Sequence, residues 1–202
     1  MYQDSIRPLL EEEYNLGLIL PEYFIGARIK INMEDLCYFY TRNGKTNFTV
    51  IRPSSVYGPY DKFNLVRGHI FDSMIKRVAD APDGSIIPIQ GLGDGMRDFV
   101  HVSDLVRFIE LIIDRPSSHK FKVFNVGSGV SVSIKELAQK MIEVSGKNLS
   151  VFCDRTQHNL ANRLWIDIRR AKALGWQPFI DLEDGISQTM KWHRENIQKE
   201  DR

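Results

Sequence analysis

The stretch Arg52-Pro53-Ser54-Ser55-Val56-Tyr57-Gly58-Pro59 follows directly on the apolar run Phe48-Thr49-Val50-Ile51. β-Branched and aromatic side chains favour a pleated, half-buried backbone, so the run predicts a strand. Proline lacks the amide hydrogen that an interior ladder needs, and Pro53 therefore ends it. Gly58-Pro59 then turns the chain at the strand's carboxyl end. In open α/β sheets that end is where ligands bind. The same residues also fit an ordinary strand-to-loop exit, so the stretch alone leaves both readings open.

Working outward, helical spacing predicts helices over 28–42, 66–79, 104–114, 134–144 and 182–198, with a short helix over roughly 168–174. In the first, Ile29, Met33, Leu36, Cys37 and Tyr40 share one face, and Asn43-Gly44 is a stop signal. The fourth starts with a capping-box spacing, Ser133 and Glu136, beside a Val132–Leu137 staple. Gly146 stands where a C-terminal cap belongs. Asp181 is positioned to cap the last helix, where Leu182, Ile186, Met190, His193 and Ile197 recur at helical spacing. Further strands are expected at 85–87, 98–100, 123–126 and 149–152. Helices alternating with short apolar strands define an α/β layer protein.

Composition narrows the class. The chain has 202 residues, 27 basic and 26 acidic side chains, and 43% hydrophobic residues, ordinary values for a globular chain. Without clustered Lys and Arg, nucleic acid is not the expected partner. No apolar run approaches the ~18–20 residues of a membrane span, and the first residues lack the pattern of a secretory signal. Cys37 and Cys153 match no Cys-x-x-Cys spacing, and the five histidines are scattered singly, so no metal site is expected. Reduced thiols in a cytoplasmic protein are the expectation.

A complete dinucleotide-binding fold opens with strand, Gly-x-Gly-x-x-Gly turn and helix. Nothing before residue 26 supplies this. The stretch Gly91-Leu92-Gly93-Asp94-Gly95 leads into a strand-like run and reads as a plain turn. A second motif follows it, Gly93-Asp94-Gly95-Met96-Arg97-Asp98-Phe99-Val100-His101-Val102-Ser103-Asp104. It places Arg97 at the mouth of a turn, then a strand, then a helix start near Ser103. An arginine fork there can grip phosphate; a surface Arg97–Asp98 pair is the plainer alternative.

Together these segments resemble the extended short-chain dehydrogenase/reductase family, which includes NAD(P)-dependent sugar-nucleotide epimerases, 4,6-dehydratases and GDP-fucose synthase-type enzymes. The loop Tyr60-Asp61-Lys62-Phe63-Asn64-Leu65, with His69 beyond it, is similar to the substrate-side loop of the GDP-sugar enzymes, and together with the Leu16-Gly17 region it carries the preference for a GDP-sugar. Asn125-Val126-Gly127-Ser128-Gly129 and Asp167 through Pro178 fit the family's C-terminal lobe, where Trp165, Trp176 and Trp192 read as packing residues. The resemblance implies that residues 1–202 are the later strands of a Rossmann-like sheet plus a small α/β substrate-binding lobe, with the glycine-rich half absent.

The resemblance also implies roles. Lys30 matches the lysine of the family's Tyr-x-x-x-Lys pair, which holds the cofactor ribose of NAD or NADP and lowers the tyrosine pKa. Gly26 stands where the tyrosine is expected. Tyr23 lies seven residues before Lys30, ~10 Å along a helix, and could substitute only if the chain before Gly26 unwinds; packing beside Phe24 is the expectation. Pro53 and Val56 are expected near the nicotinamide. Ser55, Asn64, His69, Arg97 and Arg163 are expected on the substrate, the two arginines converging on its diphosphate. The implied ligand is a nucleotide-diphosphate sugar, with a GDP-sugar preferred. The implied activity is epimerase/dehydratase-type oxidoreduction, impaired in this chain. The alternative is a non-catalytic nucleotide-sugar-binding or interaction protein. A homodimer through 26–42 is implied by the family's habit, and the strand at 48–51 is expected to carry an unpaired edge.

Overall fold

The computed structural model describes residues 2–19, 21–65, 68–115, 120–156 and 163–197. After a 3-10 turn at Leu16–Leu18 come α1 (Pro21–Asn43), β1 (Phe48–Pro53), β2 (Ser55–Tyr57), α2 (Ile70–Asp80), β3 (Ile86–Gln90) and β4 (Met96–His101). Then follow α3 (Val102–Asp114), β5 (Phe121–Val126), β6 (Ser131–Ser133), α4 (Ile134–Ser145), β7 (Ser150–Asp154), β8 (Arg163–Leu164), α5 (Arg169–Ala173) and α6 (Leu182–Asn196). The class is α/β and Rossmann-like, with mostly parallel strands.

Among the described residues, four parallel pairings and one antiparallel pairing organise it. β1 runs beside β5, with Pro53 opposite Val126. β2 runs beside β4, with Tyr57 opposite His101. β3 runs beside β7. The remaining contacts of β4 are antiparallel with β6 and parallel with β8. Among the described residues β5 is the only strand paired with β1, so its other edge lies open.

Two apolar cores result. One gathers Tyr57, Phe71, Ile75, Val78, Phe99, Leu137, Met141 and Ile186 between α2, α4, α6 and the strands. The other joins Phe108, Phe124, Val126, Ile166 and Trp176. Trp176 donates its indole N–H to the Asp104 carbonyl (3.1 Å), and Trp165 donates to the Gly129 carbonyl (3.3 Å).

Several expectations shift. α1 starts at Pro21 rather than 28, because proline suits the first turn, where its missing amide costs nothing. Its face Ile29, Met33, Leu36 and Tyr40 points outward, while Ala27, Ile31 and Thr41 meet the sheet. α2 starts at Ile70 rather than 66; positions 66 and 67 lie outside the described residues. α3 starts at Val102, capped by the His101 ring, whose Nδ1 accepts the Ser103 amide (3.2 Å). α6 ends at Asn196, and position 198 lies outside the described residues. The α4 cap has both bonds of the capping box, and Gly146 closes the helix at φ 67°.

Candidate functional site

Asp98 is the first joint of the site. It is buried within β4 and accepts from the Ser54 hydroxyl (3.2 Å), the Ser128 amide and hydroxyl (both 2.7 Å) and the Gly129 amide (3.1 Å). Burial pushes its carboxyl pKa up, against these donated bonds. This arrangement ties the β1–β2 junction to the turn after β5, and a Cβ at Gly127 would stand 2.7 Å from the carboxylate. The alternative of a surface Arg97–Asp98 pair is not what forms, since Asp98 is buried and bonds Ser54, Ser128 and Gly129.

Arg97 is likewise inside β4 rather than at the mouth of a turn, and only 9% exposed. One amino group donates to the neighbouring Met96 carbonyl (2.8 Å). The Tyr23 phenol is hydrogen-bonded to the same side chain, and the Asp4 carboxylate adds attraction. Burial pushes the guanidinium pKa down, and Tyr23 and Asp4 oppose that shift. The first turn of α1, the segment around Asp4 and the start of β4 thus meet at one buried cation.

Arg163 does not join it by register. It lies opposite Met96, whereas Arg97 lies opposite Leu164. Residues in register share a face and successive residues alternate, so the two arginines leave the strands on opposite sides. Arg163 is exposed, and its backbone amide donates to the Asp4 carboxylate.

On α1, Lys30 is exposed and makes no hydrogen bond or ion pair among the described residues. A Cβ at Gly26 would meet nothing within 4 Å, so no neighbouring side chain fills the place of the expected tyrosine. α1 runs unbroken through Gly26, which leaves Tyr23 two turns from Lys30 and engaged with Arg97 instead of packing beside Phe24. The helix is fixed to the sheet one turn beyond Lys30. There Glu34 accepts twice from Arg52, at 2.9 and 2.6 Å. Arg52 also donates to the Tyr2 hydroxyl (2.8 Å) and the Glu11 carbonyl (2.7 Å). Burial works against its charge, but the bonds to Glu34 and Tyr2 leave its pKa raised.

Pro53 is exposed at the end of β1, and Ser55 and Val56 are half-buried on β2, opposite Phe99 and Val100. Asn64 is exposed in the loop after β2, with its carbonyl accepting from the Gly68 amide (2.9 Å). His69 is exposed at the start of α2 and gives that helix no side-chain cap. β1 and β2 thus place Pro53 and Ser55 on either side of Ser54, whose hydroxyl bonds Asp98, with Val56 next along β2. Asp98, Arg52 and the Tyr23–Arg97 contact were not legible as partners in the sequence, since each bond spans a long separation along the chain.

The glycine-rich stretch 91–95 is not shaped as a pyrophosphate cradle. The glycine turn 91–95 leads into β4, and its Gly93 and Gly95 carbonyls accept from the Lys135 and Ile134 amides at the start of α4 (2.9 and 3.0 Å). An anion needs such amides unpaired at a helix start, so this helix end is already occupied by its own chain. Among the described residues no group of three His, Cys, Asp or Glu side chains is placed to hold a metal ion.

The fold and this strand-end joint define a Rossmann-like α/β protein. The NAD-dependent epimerase/dehydratase family model matches residues 27–127, half of the chain, and the chain belongs to that family. GDP-L-fucose synthase of Escherichia coli (strain K12) is 30% identical over 199 residues, covering 94% of this chain and 62% of that protein. GDP-L-fucose synthase 1 of Arabidopsis thaliana is 33% identical over 147 residues, 72% of this chain and 45% of that one. Among solved structures, UDP-glucose 4-epimerase of Thermotoga maritima with UDP-glucose superposes with a TM-score of 0.79 at 24% identity, over 98% of this chain and 60% of that one. MoeE5 in complex with UDP-glucuronic acid and NAD superposes with a TM-score of 0.75 at 25% identity, over 96% and 62%. The chain spans about three-fifths of the length of the first of these curated relatives.

Proposed function

We propose that this chain binds a nucleotide-diphosphate sugar, a GDP-sugar by preference, as the substrate-holding part of an NAD(P)-dependent epimerase/dehydratase-type oxidoreductase whose hydride chemistry is impaired. The observation that carries the reading is the buried Arg97 guanidinium, set against the first turn of α1 and close to Asp4. A planar cation presented from a rigid strand suits a diphosphate, because its orientation is fixed before the ligand arrives. Tyr23 and Lys30 lie ~10 Å apart along the helix, a length that a diphosphate and an attached hexose bridge. Ser55 offers a short hydroxyl to the sugar, and Asn64 and His69 offer polar groups from the loop side; Arg163, on the opposite side of the strands from Arg97, is not assigned to the diphosphate.

In this family an NAD(P) group supplies hydride transfer when bound. The space at Gly26 leaves Lys30 without a phenol to activate. That geometry supports impairment, and it equally suits a non-catalytic nucleotide-sugar-binding protein. Titrating the purified chain with NADH and with NADPH, followed by cofactor fluorescence, tests the point. No change in cofactor fluorescence on adding a GDP-sugar is expected with either one. Tight binding of one, with turnover of a GDP-sugar that disappears in Tyr23→Phe, would refute impairment and reveal Tyr23 as the acid–base group.

A homodimer through α1 belongs to the same proposal. Ile29 and Met33 are 56% and 61% exposed, and with Leu36 and Tyr40 they form an apolar stripe. A cytoplasmic setting accords with the two free thiols, Cys37 and Cys153. No helix among the described residues is long and apolar enough to cross a membrane.

A further inference from the structure

The loop between β2 and α2 is held in an unfavourable backbone conformation. Tyr60 and Phe63 have φ of 69° and 45°, the only non-glycine residues with positive φ among those described. An L side chain crowds its own carbonyl there, and such residues persist only where the surroundings fix them. Neither position is glycine, so the choice of side chain has outweighed backbone ease.

The fixing comes from the far end of the chain. Phe63 is buried, stacked on Trp192 of α6 at 5.5 Å between ring centroids and 22° between planes. Its edge meets His193 at 4.9 Å, and Tyr60 leans over the same indole at 4.9 Å. The two ends of the loop are pinned as well. A Cβ on Gly58 would stand 2.7 Å from Val102 and 3.2 Å from the His101 ring, and the Gly68 amide bonds the Asn64 carbonyl. Between these anchors Asp61, Lys62 and Asn64 form the outward side, with the Lys62 amide donating to the Asp61 carboxylate (2.8 Å).

We infer that Trp192, acting through Phe63, is a positioning residue: a latch by which α6 holds the strained 58–65 loop in the arrangement that presents Asn64. The link to sugar binding rests on the function proposed above, whereas the latch itself rests on the ring geometry and the two left-handed residues. Aromatic stacking is directional as well as apolar, so a flat ring at position 192 is required and mere bulk does not suffice.

Lys62 makes this measurable, because trypsin cuts after lysine only when the loop opens. In the full chain at 25 °C, Trp192→Ala is expected to raise the cleavage rate at Lys62 about tenfold, with the rates at Lys140 and Lys172 unchanged. Trp192→Phe is expected to return the rate to within a factor of about two of wild type. Phe63→Leu, which keeps an apolar plug but no ring, is expected to behave as Trp192→Ala does. An unchanged Lys62 rate in Trp192→Ala, an equal rise at all three sites, or no rescue by phenylalanine would each overturn the latch. GDP-mannose is the probe for the functional clause, and it is expected to slow Lys62 cleavage in wild type. Failure of that protection counts against the proposed sugar site, while the comparison of variants judges the latch separately.

Discussion

His101 shows how much one side chain carries in this fold. It caps α3 through Nδ1, stands edge-on to Tyr57 at 5.3 Å and is almost fully buried. An acceptor at Nδ1 requires the neutral ring with its proton on Nε2. Burial pushes its pKa down, with Asp104 opposing. Its folded pKa therefore lies below the ~6.5 of an unfolded histidine, and the unfolded chain takes up more protons in acid. Its contribution is intact above about pH 6.5 and is lost as pH falls toward the folded value. Asp98 acts with the opposite sign, because its folded pKa is raised. Comparing variants separates the two. Denaturant midpoints at pH 7.5 and pH 5 should draw together in His101→Asn, which can still cap but does not titrate. An undiminished acid slope in that variant would show that His101 is not its source. None of this was visible in the sequence, where His101 is one more scattered histidine; its role depends on the strand that places it beside Tyr57.

At the scale of elements, two helical glycines make opposite demands. Gly185 in α6 faces Tyr57, and a Cβ there would fall 2.0 Å from the phenol oxygen and 2.7 Å from the ring carbon that bears it. Gly26 in α1 faces open space. Gly185→Ala is thus expected to destabilise by roughly 1–3 kcal/mol through overpacking, and Gly26→Ala to stabilise by about 0.5–1 kcal/mol by favouring the helix. Thermal melts of the two single variants check both signs at once; a stabilised Gly185→Ala or a destabilised Gly26→Ala would contradict the packing described. Element legibility follows the same logic of range. The α4 cap is written in four consecutive residues, and the sequence predicts it together with its Gly146 stop. β2, β6 and β8 are two or three residues long and exist only through partners elsewhere in the chain, so no local pattern announces them. α1 is legible as a helix from its spacing, but spacing does not say which face the sheet receives: Ala27 and Ile31 are buried, while Ile29, Met33, Leu36 and Tyr40 are exposed.

At the scale of the molecule, the two cores are tied together by polar groups at their border. Asp104 receives the Phe179 and Ile180 amides at 3.1 and 3.0 Å, which docks the segment before α6 onto α3. Asp98 and Arg52 do the same for the strand ends and for α1. Each joint fixes a loop or a helix against another element, and the surface between them gains rigidity. The class of fold, the RPSSVYGP exit and the family resemblance were all readable from residue order. The convergence of Tyr23 and Asp4 on Arg97 was not, because it depends on where α1 begins and on the register of β4 with β8.

The most direct test of the account is a calorimetric titration of the whole chain with GDP-mannose, repeated on Arg97→Gln and Arg97→Lys with thermal melts recorded beside it. Saturable binding by wild type, weakened at least about tenfold in the glutamine variant and partly kept by lysine, is the predicted result for a charge-assisted diphosphate contact. Equal affinity in wild type and a folded Arg97→Gln, or no binding by wild type, would contradict the claim that this buried arginine holds the nucleotide sugar.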